Sequence, residues 1–271
     1  MVERPAPRTA LVTGASRGIG AAIALRMGMA GIKVAVTART LEPHPKTPGT
    51  LRDTIAAIEG AGGEAVAIVA DVNTADDRAR LVEAAQEQLG DIDILVNNAG
   101  VLFGGPNLEL SDKRLRLMYE VLVHAPFDLS QRIGRLMVQR ERGWILNISS
   151  VGALSVEGPP FDRRPPGMYG ALKRAVEGMT NGFAAELYPH GIAVNSLAPT
   201  AVVPTPGFMS TGGGNPDVEL EVPEIIAEAA YALCTGDPAV LTNRIVFSQA
   251  IVAELGLNPQ PLPPLPGQFG N

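Results

Sequence analysis

The sequence is poor in the residues that build disulfide frameworks, metal sites and membrane spans. Its 271 residues include one cysteine, Cys234, which rules out an intramolecular disulfide and a cysteine-rich zinc site. Its three histidines, His44, His124 and His190, lack metal-ligand spacing, so no metal is expected. No stretch approaches the roughly eighteen apolar residues of a membrane span, and the N-terminus lacks the apolar segment of a signal peptide. We therefore expect a cytoplasmic protein with no membrane partner.

The charge balance also excludes a class of partner. The formal net charge is −6 and no long basic run is present, which argues against nucleic-acid binding. With 46% hydrophobic and 18% charged residues, the composition is that of a folded globular chain.

Apolar, β-branched runs alternate with segments of helical periodicity, which is typical of βαβ units. The predicted strands are residues 10–13, 34–37, 65–69, 94–97, 144–148, 193–196 and 245–247. The predicted helices begin near Gly18, Thr50, Thr74, Ser111, Gly167 and Pro223. The pattern predicts an α/β fold of one domain, residues 1–257, with a doubly wound parallel sheet of about seven strands and helices on both faces. A Pro-rich tail, residues 258–271, is expected to be extended or disordered.

Three loops rich in Pro or Gly interrupt this rhythm, at residues 41–49, 151–167 and 205–216. Each follows the carboxyl end of a predicted strand. Because open α/β sheets bind ligands at that edge, these loops are expected to border a binding cleft.

A glycine-rich turn follows the first predicted strand and opens the first predicted helix. Gly14, Gly18 and Gly20 would let the backbone turn sharply and approach a pyrophosphate, whose charge meets the amides of the helix N-terminus. The spacing differs from the G-x-G-x-x-G fingerprint, so an ordinary loop is the alternative.

The charges near this turn indicate which nucleotide it would take. The second predicted strand ends at Arg39 with no acid at its tip, and Arg17 lies within the turn. A ribose 2′-phosphate prefers arginine, whereas an unmodified ribose prefers an acid. We therefore expect NADP(H), with NAD(H) the less favoured cofactor, unless Arg39 is a solvated loop residue. Asp71, after the third strand, would accept a hydrogen bond from adenine or cap the next turn.

A second group of residues points to acid–base chemistry. Tyr169 and Lys173 are four residues apart and so share one face of a helix, and Ser150 ends the fifth predicted strand. A free phenol has a pKa of about 10, and a nearby ammonium would lower it. The Ser150 hydroxyl would hold a substrate oxygen while charge develops there. A Tyr-x-x-x-Lys pair alone is common by chance.

Taken in order, these motifs resemble those of the short-chain dehydrogenase/reductase family and, within it, those of the hydroxysteroid-dehydrogenase-like branch. They are Thr13-Gly14-Ala15-Ser16-Arg17-Gly18-Ile19-Gly20, Asn97-Asn98-Ala99-Gly100, Ile148-Ser149-Ser150, Tyr169-x-x-x-Lys173 and Ala198-Pro199. The resemblance implies a Rossmann-type domain, a small-molecule alcohol or carbonyl substrate, and a homodimer or homotetramer. It implies catalysis by Ser150, Tyr169 and Lys173. It also implies cofactor contacts from Gly14, Ser16, Arg17, Gly18, Ile19, Gly20, Arg39, Asp71, Val72, Asn98, Ala99, Gly100, Tyr169, Lys173, Pro199 and Thr200.

Two departures from the family pattern qualify this expectation. Leu122 occupies the place of an asparagine that helps to hold a proton-relay water, so the relay is absent, rerouted or carried by the main chain. His124 is expected to face elsewhere on the helix. The family's Pro-Gly after the sixth strand reads Pro199-Thr200 here, and either Thr200 or Thr205 would meet the nicotinamide carboxamide.

Two alternatives to the oxidoreductase remain open at this stage. A non-catalytic NADP(H)-binding sensor or scaffold would share the fold, and Leu122 is compatible with it. A nucleotide-sugar epimerase would share the Tyr/Lys pair, but the short C-terminal portion leaves little room for a sugar-binding domain.

Overall fold

A computed structural model describes residues 9–41, 48–161, 167–209 and 219–265. The strands are β1 Thr9–Thr13, β2 Lys33–Ala38, β3 Ala65–Val69, β4 Ile94–Asn97, β5 Gly143–Ile148, β6 Ile192–Ala198 and β7 Ile245–Phe247. They form a seven-stranded sheet, all parallel, with strand order β3-β2-β1-β4-β5-β6-β7. The predicted doubly wound α/β fold is confirmed, and every predicted strand lies within two residues of an observed one.

Helices cover both faces of this sheet. They are α1 Gly18–Met29, α2 Leu51–Gly60, α3 Ala75–Leu89, α4 Asp112–Tyr119, α5 Ala125–Arg140, α6 Gly167–Leu187, α7 Pro206–Met209, α8 Pro223–Thr235 and α9 Ser248–Glu254. Several begin at the capping residues seen in the sequence. Thr50 forms a reciprocal capping box with Asp53, and Thr74 accepts a hydrogen bond from the amide of Asp77.

The core is divided into two layers by the sheet. One layer packs α1, α8 and α9 against one face, and the other packs α3, α5 and α6 against the opposite face. Because both faces are covered, β1, β4, β5 and β6 are buried along their whole length. Within the described ranges, no helix combines the length and the apolar character that crossing a bilayer requires.

The helix predicted to begin near Ser111 is broken midway by a π-helical turn. The segment Glu120–His124 has π geometry and joins α4 to α5. Pro126 has no amide hydrogen, so it cannot make the α-helical hydrogen bond to the carbonyl of Leu122 four residues earlier. The wider turn therefore lies where regular helical bonding is interrupted, at the position of Leu122.

Part of the C-terminal tail belongs to the folded domain. Leu265 is only 5% exposed and lies in the same core layer as α1 and α8, with Leu262 packed beside it. The amide of Gln260 donates to Oε2 of Glu228 on α8. The described part of the tail, from residue 258 to Leu265, therefore packs on the domain, because two leucines among the prolines supply apolar surface for the core.

Parts of the three predicted loops lie outside the described residues. These parts are residues 42–47, 162–166 and 210–218. The described remainders of the loops all lie at the carboxyl edge of the sheet, as expected.

Candidate functional site

The glycine turn after β1 has the conformation and clearance that only glycine permits. Gly14 and Gly18 have φ of +65° and +58°. A Cβ on Gly14 would lie 2.7 Å from the Cα of Ala99, and one on Gly20 would overlap the side-chain amide of Asn98. The turn therefore packs its backbone tightly against the end of β4 at the N-terminus of α1, where helix amides would meet a pyrophosphate. The other residues of the turn flank it, with Ser16 buried and Ile19 packed against the core.

Asn98 fastens this turn to the end of β4. Its Nδ2 donates to the carbonyl oxygens of Thr13 at 2.8 Å and Gly14 at 3.1 Å. The Thr13 hydroxyl in return accepts from the amides of Asn98 and Ala99, each at 3.0 Å. Thr13 supports the turn, a role that the sequence analysis did not give to it although it opens the glycine motif. The segment through Gly100 therefore lies beside the expected cofactor position, with the Asn98 side chain holding the turn itself.

Two arginines lie close together at this end of the site. Burial, and then the positive charge of Arg39, lower the pKa of Arg17. The Arg17 Nε donates to the hydroxyl of Ser16 at 3.3 Å. Arg39 follows β2 and is exposed. Two guanidinium groups that repel each other create a positive potential, which suits a dianionic phosphate.

Asp71 caps the turn that follows it, which is one of the two roles that the sequence analysis expected for this residue. Its Oδ1 accepts from the amide of Asn73 at 3.1 Å, while Thr74 caps α3. The carbonyl of the adjoining Val72 accepts from the buried Arg78 at 2.7 Å. The sequence analysis missed Arg78, because the residues with which it forms salt bridges, Glu120 and Asp128, are distant in sequence.

The three expected catalytic residues meet at the carboxyl end of β5. Ser150 directly follows this strand, and its hydroxyl accepts from the amide of Gly152 at 3.1 Å and hydrogen-bonds to Tyr169. Lys173 lies one turn further along α6, is 5% exposed, and donates from Nζ to the carbonyl of Ile148 at 2.7 Å. Its Nζ lies 5.9 Å from the centre of the Tyr169 ring.

Burial controls the acidity of both titratable groups. It raises the pKa of Tyr169, and the hydrogen bond from Ser150 only partly opposes this. It lowers the pKa of Lys173 to about 8. The expected acidification of Tyr169 by Lys173 is therefore not found in this structure. The loss of water around the phenol sets the direction of this shift in pKa.

Leu122 lies inside an apolar cluster next to Tyr169. The cluster contains Met118, Leu122 and Leu172, with Tyr169 packed against it. A Cβ on Gly100 would lie 3.6 Å from Leu122, so Leu122 spans the space between the nucleotide half and the catalytic half. His124 does not replace the missing asparagine, because its Nδ1 faces Glu120 at 2.9 Å and its side chain is 47% exposed.

The turn after β6 is held by residues that the sequence analysis did not single out. Thr200 follows Pro199, and its amide donates to Glu221 and Ser248, each at 3.0 Å. Thr205 lies beside the glycine turn, since a Cβ on Gly18 would lie 2.9 Å from its Cγ2. Glu221 and Ser248 gave no motif signal, because they come together only through long-range folding.

Comparisons with known proteins agree with this geometry. The profile that describes short chain dehydrogenases matches residues 8–213. Hydroxysteroid dehydrogenase-like protein 2 of Xenopus laevis is 33% identical over 251 residues, which cover 91% of this chain and 58% of that protein. The chain thus spans less than two thirds of the length of this relative. A short chain dehydrogenase from Mycobacterium thermoresistibile superposes with a TM-score of 0.80 at 35% identity, over 92% of this chain and 88% of that chain. A metagenomic short-chain oxidoreductase in complex with NADP has a TM-score of 0.72 at 32% identity, over 89% and 96% of the two chains.

Burial of Lys173 makes a prediction about stability and pH. Its pKa is lowered from 10.5 to about 8, so between these values the unfolded chain keeps a proton that the folded chain releases. Folding stability should therefore rise with pH across this window. Lys173→Met should abolish the rise. Relative to this variant, the wild-type free energy of unfolding should increase by about 2 kcal/mol between pH 7.5 and 10 in urea titrations without cofactor.

Lys113→Met is the matched control, because Lys113 is exposed on α4. It should leave the pH dependence of the free energy of unfolding unchanged. A wild-type curve that parallels that of Lys173→Met would contradict the assignment.

Proposed function

The chain belongs to the short-chain dehydrogenase family, and on that premise we propose that it is an NADP(H)-dependent oxidoreductase acting on an alcohol or carbonyl compound. The observation that carries this proposal is the meeting of Ser150, Tyr169 and Lys173 at the same sheet edge as the glycine turn. A nicotinamide cofactor, when bound, supplies or accepts the hydride.

Each residue of the trio then has one task. In reduction, the Tyr169 hydroxyl gives its proton to the substrate oxygen as the carbonyl carbon receives the hydride, and in oxidation it takes the proton back. The Ser150 hydroxyl holds the same oxygen. Lys173 orients the cofactor ribose. The raised pKa of Tyr169 keeps the phenol protonated at neutral pH, which suits a proton donor.

The surroundings of the trio favour an apolar substrate, such as an aliphatic, 3-oxoacyl or steroid-like compound. The cluster of Met118, Leu122 and Leu172 has Phe103 and Met168 packed against it next to Tyr169. Nearby loops expose further apolar side chains, with Leu154 46% and Phe161 72% exposed. Apolar walls around a few polar groups are typical of sites for small hydrophobic ligands.

Removal of the Tyr169 hydroxyl tests the proposed chemistry. NADPH consumption would first be measured against a panel of ketones, aldehydes and 3-oxoacyl thioesters. With a substrate from this panel, Tyr169→Phe should lower kcat by about a thousandfold, because the proton donor is lost. NADPH affinity, measured by fluorescence titration, should change less than about twofold, since the ring is kept.

Tyr188→Phe is the matched control, because Tyr188 follows α6 and is 50% exposed. Near-normal kcat in Tyr169→Phe would refute the mechanism. Tight NADPH binding by the wild type without turnover of any panel compound would favour the non-catalytic sensor, which the apolar Leu122 keeps open.

The proposed preference for NADP(H) rests on the charge of Arg17 and Arg39, and a solved relative contains NADP. Arg39→Ala removes one of two cations that would bind the 2′-phosphate, so the KM for NADPH should rise about tenfold or more. The KM for NADH, which lacks that phosphate, should stay within about twofold. Arg80→Ala, at an exposed position on α3, is the control. A lower wild-type KM for NADH than for NADPH would overturn the preference.

We also propose that the chain forms a homodimer or homotetramer through α5 and α6. These helices flank a groove of about 780 Å³ whose lining includes Phe127, Gly134, Met179 and Phe183. Phe127 is 43% exposed although its ring centre lies 5.4 Å from that of Phe183. A second copy of these helices would cover this apolar surface.

Sedimentation equilibrium tests the assembly. The wild type should have a multiple of the 28.3 kDa chain mass, and Phe127→Glu should shift it towards 28.3 kDa because the charge would be buried in the interface. Leu108→Glu, at a fully exposed site outside the groove, should have no effect. A monomeric wild type would contradict the proposal.

A further inference from the structure

Glu221 is a buried carboxylate at the edge of the site. It is 1% exposed, and no lysine or arginine pairs with it among the residues that the structure describes. Its oxygens accept from the Ser248 hydroxyl at 2.7 Å and from the Thr200 amide at 3.0 Å. The Ala201 amide and the Gln249 side chain also donate to it. Removing a carboxylate from water costs free energy, and here that cost is offset by hydrogen bonds from several donors. Such an arrangement points to a structural or functional role for Glu221.

The contacts of Glu221 join three separate pieces of chain. Thr200 lies just after β6, Ser248 begins α9, and Glu221 precedes α8. The hydroxyls of Thr200 and Ser248 are 3.2 Å apart, and the Thr200 hydroxyl accepts from the Gln249 amide at 3.1 Å. The three side chains therefore form one network at the carboxyl ends of β6 and β7.

A short backbone ladder lies next to this network. The amide of Val202 donates to the carbonyl of Glu219 at 3.1 Å, and the amide of Glu221 donates to the carbonyl of Val202 at 2.9 Å. These bonds join the chain that leaves β6 to the chain that returns towards α8. Glu221 contributes a backbone hydrogen bond to this ladder and side-chain hydrogen bonds to the network, so it holds the chain after β6 against the chain before α8.

Residues 203–205, which follow Val202, extend to the glycine turn after β1. Val203 is buried, and the side chain of Thr205 occupies the space where a Cβ on Gly18 would lie. Gly18 opens α1, where the cofactor phosphates would bind. The position of residues 203–205 over this turn therefore depends on how Val202 and Thr200 are anchored behind it.

We propose that Glu221 is a positioning residue for the cofactor: its carboxylate anchors Thr200 and the chain after β6, and so holds Thr205 against the glycine turn. This rests on the proposed binding of a nicotinamide nucleotide at that turn. Glu221 acts through Thr200 and the chain after β6, so its effect is on cofactor binding and not on proton transfer. Burial raises the pKa of Glu221, and the hydrogen bonds from the partners named above partly oppose this rise.

Substitution of Glu221 separates this role from the chemistry. Glu221→Leu removes the acceptors and should raise the Kd for NADPH, measured by fluorescence titration, about tenfold or more. The kcat at saturating NADPH should stay within about threefold, because Ser150, Tyr169 and Lys173 are unchanged. Glu221→Gln keeps one acceptor and the side-chain shape, so it should recover most of the affinity.

A second readout needs no cofactor. In the unliganded protein, hydrogen exchange at the amides of Thr200, Val202 and Glu221 should be faster in Glu221→Leu than in the wild type, because their anchor is lost. Glu219→Leu is the matched control, since Glu219 is exposed two residues away and, among the residues that the structure describes, it is bonded through its backbone. It should change neither exchange nor affinity.

The outcomes distinguish the two proposals. If the wild type does not bind NADPH, the proposed function fails. If the wild type binds NADPH and folded Glu221→Leu binds it within twofold of the wild type, the positioning role is overturned. Should Glu221→Leu fail to fold, Ser248→Ala removes the hydroxyl that donates to Glu221 and accepts from the Thr200 amide, and it should raise the Kd about threefold. An unchanged Kd in that variant overturns the role equally.

Discussion

The side-chain amide of Asn98 ties the end of β4 to the turn after β1, and the rest of the site depends on this tie. The sheet order reverses at this pair of strands, and a parallel sheet opens a ligand crevice at such a point. Asn98 donates to two carbonyls of the turn and lies where a Cβ on Gly20 would be. The strand order and the conformation of the glycine turn therefore depend on each other through this side chain.

Burial has a second, chemical consequence at the other half of the site. It moves the pKa of Tyr169 upward and that of Lys173 downward, so each group favours its neutral form more than it would in water. A phenol that keeps its proton, bonded to a serine hydroxyl, is prepared to donate. The neighbouring Leu122 makes this environment still more apolar, and it separates this chain from the usual family pattern.

Local patterns in the sequence were enough to predict the strands, the glycine turn and the trio, because each depends on periodicity or on spacing within a few residues. Features made by distant residues were not predictable in this way. Glu221 meets Thr200 across 21 residues and Ser248 across 27, and Leu265 reaches the core through the fold alone. The π turn was missed although Pro126 marks it, because a proline near a helix end also fits a regular helix start.

We propose that the residues at this edge of the sheet promote hydride transfer between a nicotinamide and a carbonyl carbon. This can be measured with NADPH that carries deuterium at one of the two C4 positions, a carbonyl substrate that the protein reduces, and mass analysis of the product. One deuterium from one of the two labelled forms should be found on the carbinol carbon. Consumption of NADPH with no deuterium in the product from either form would contradict this proposal.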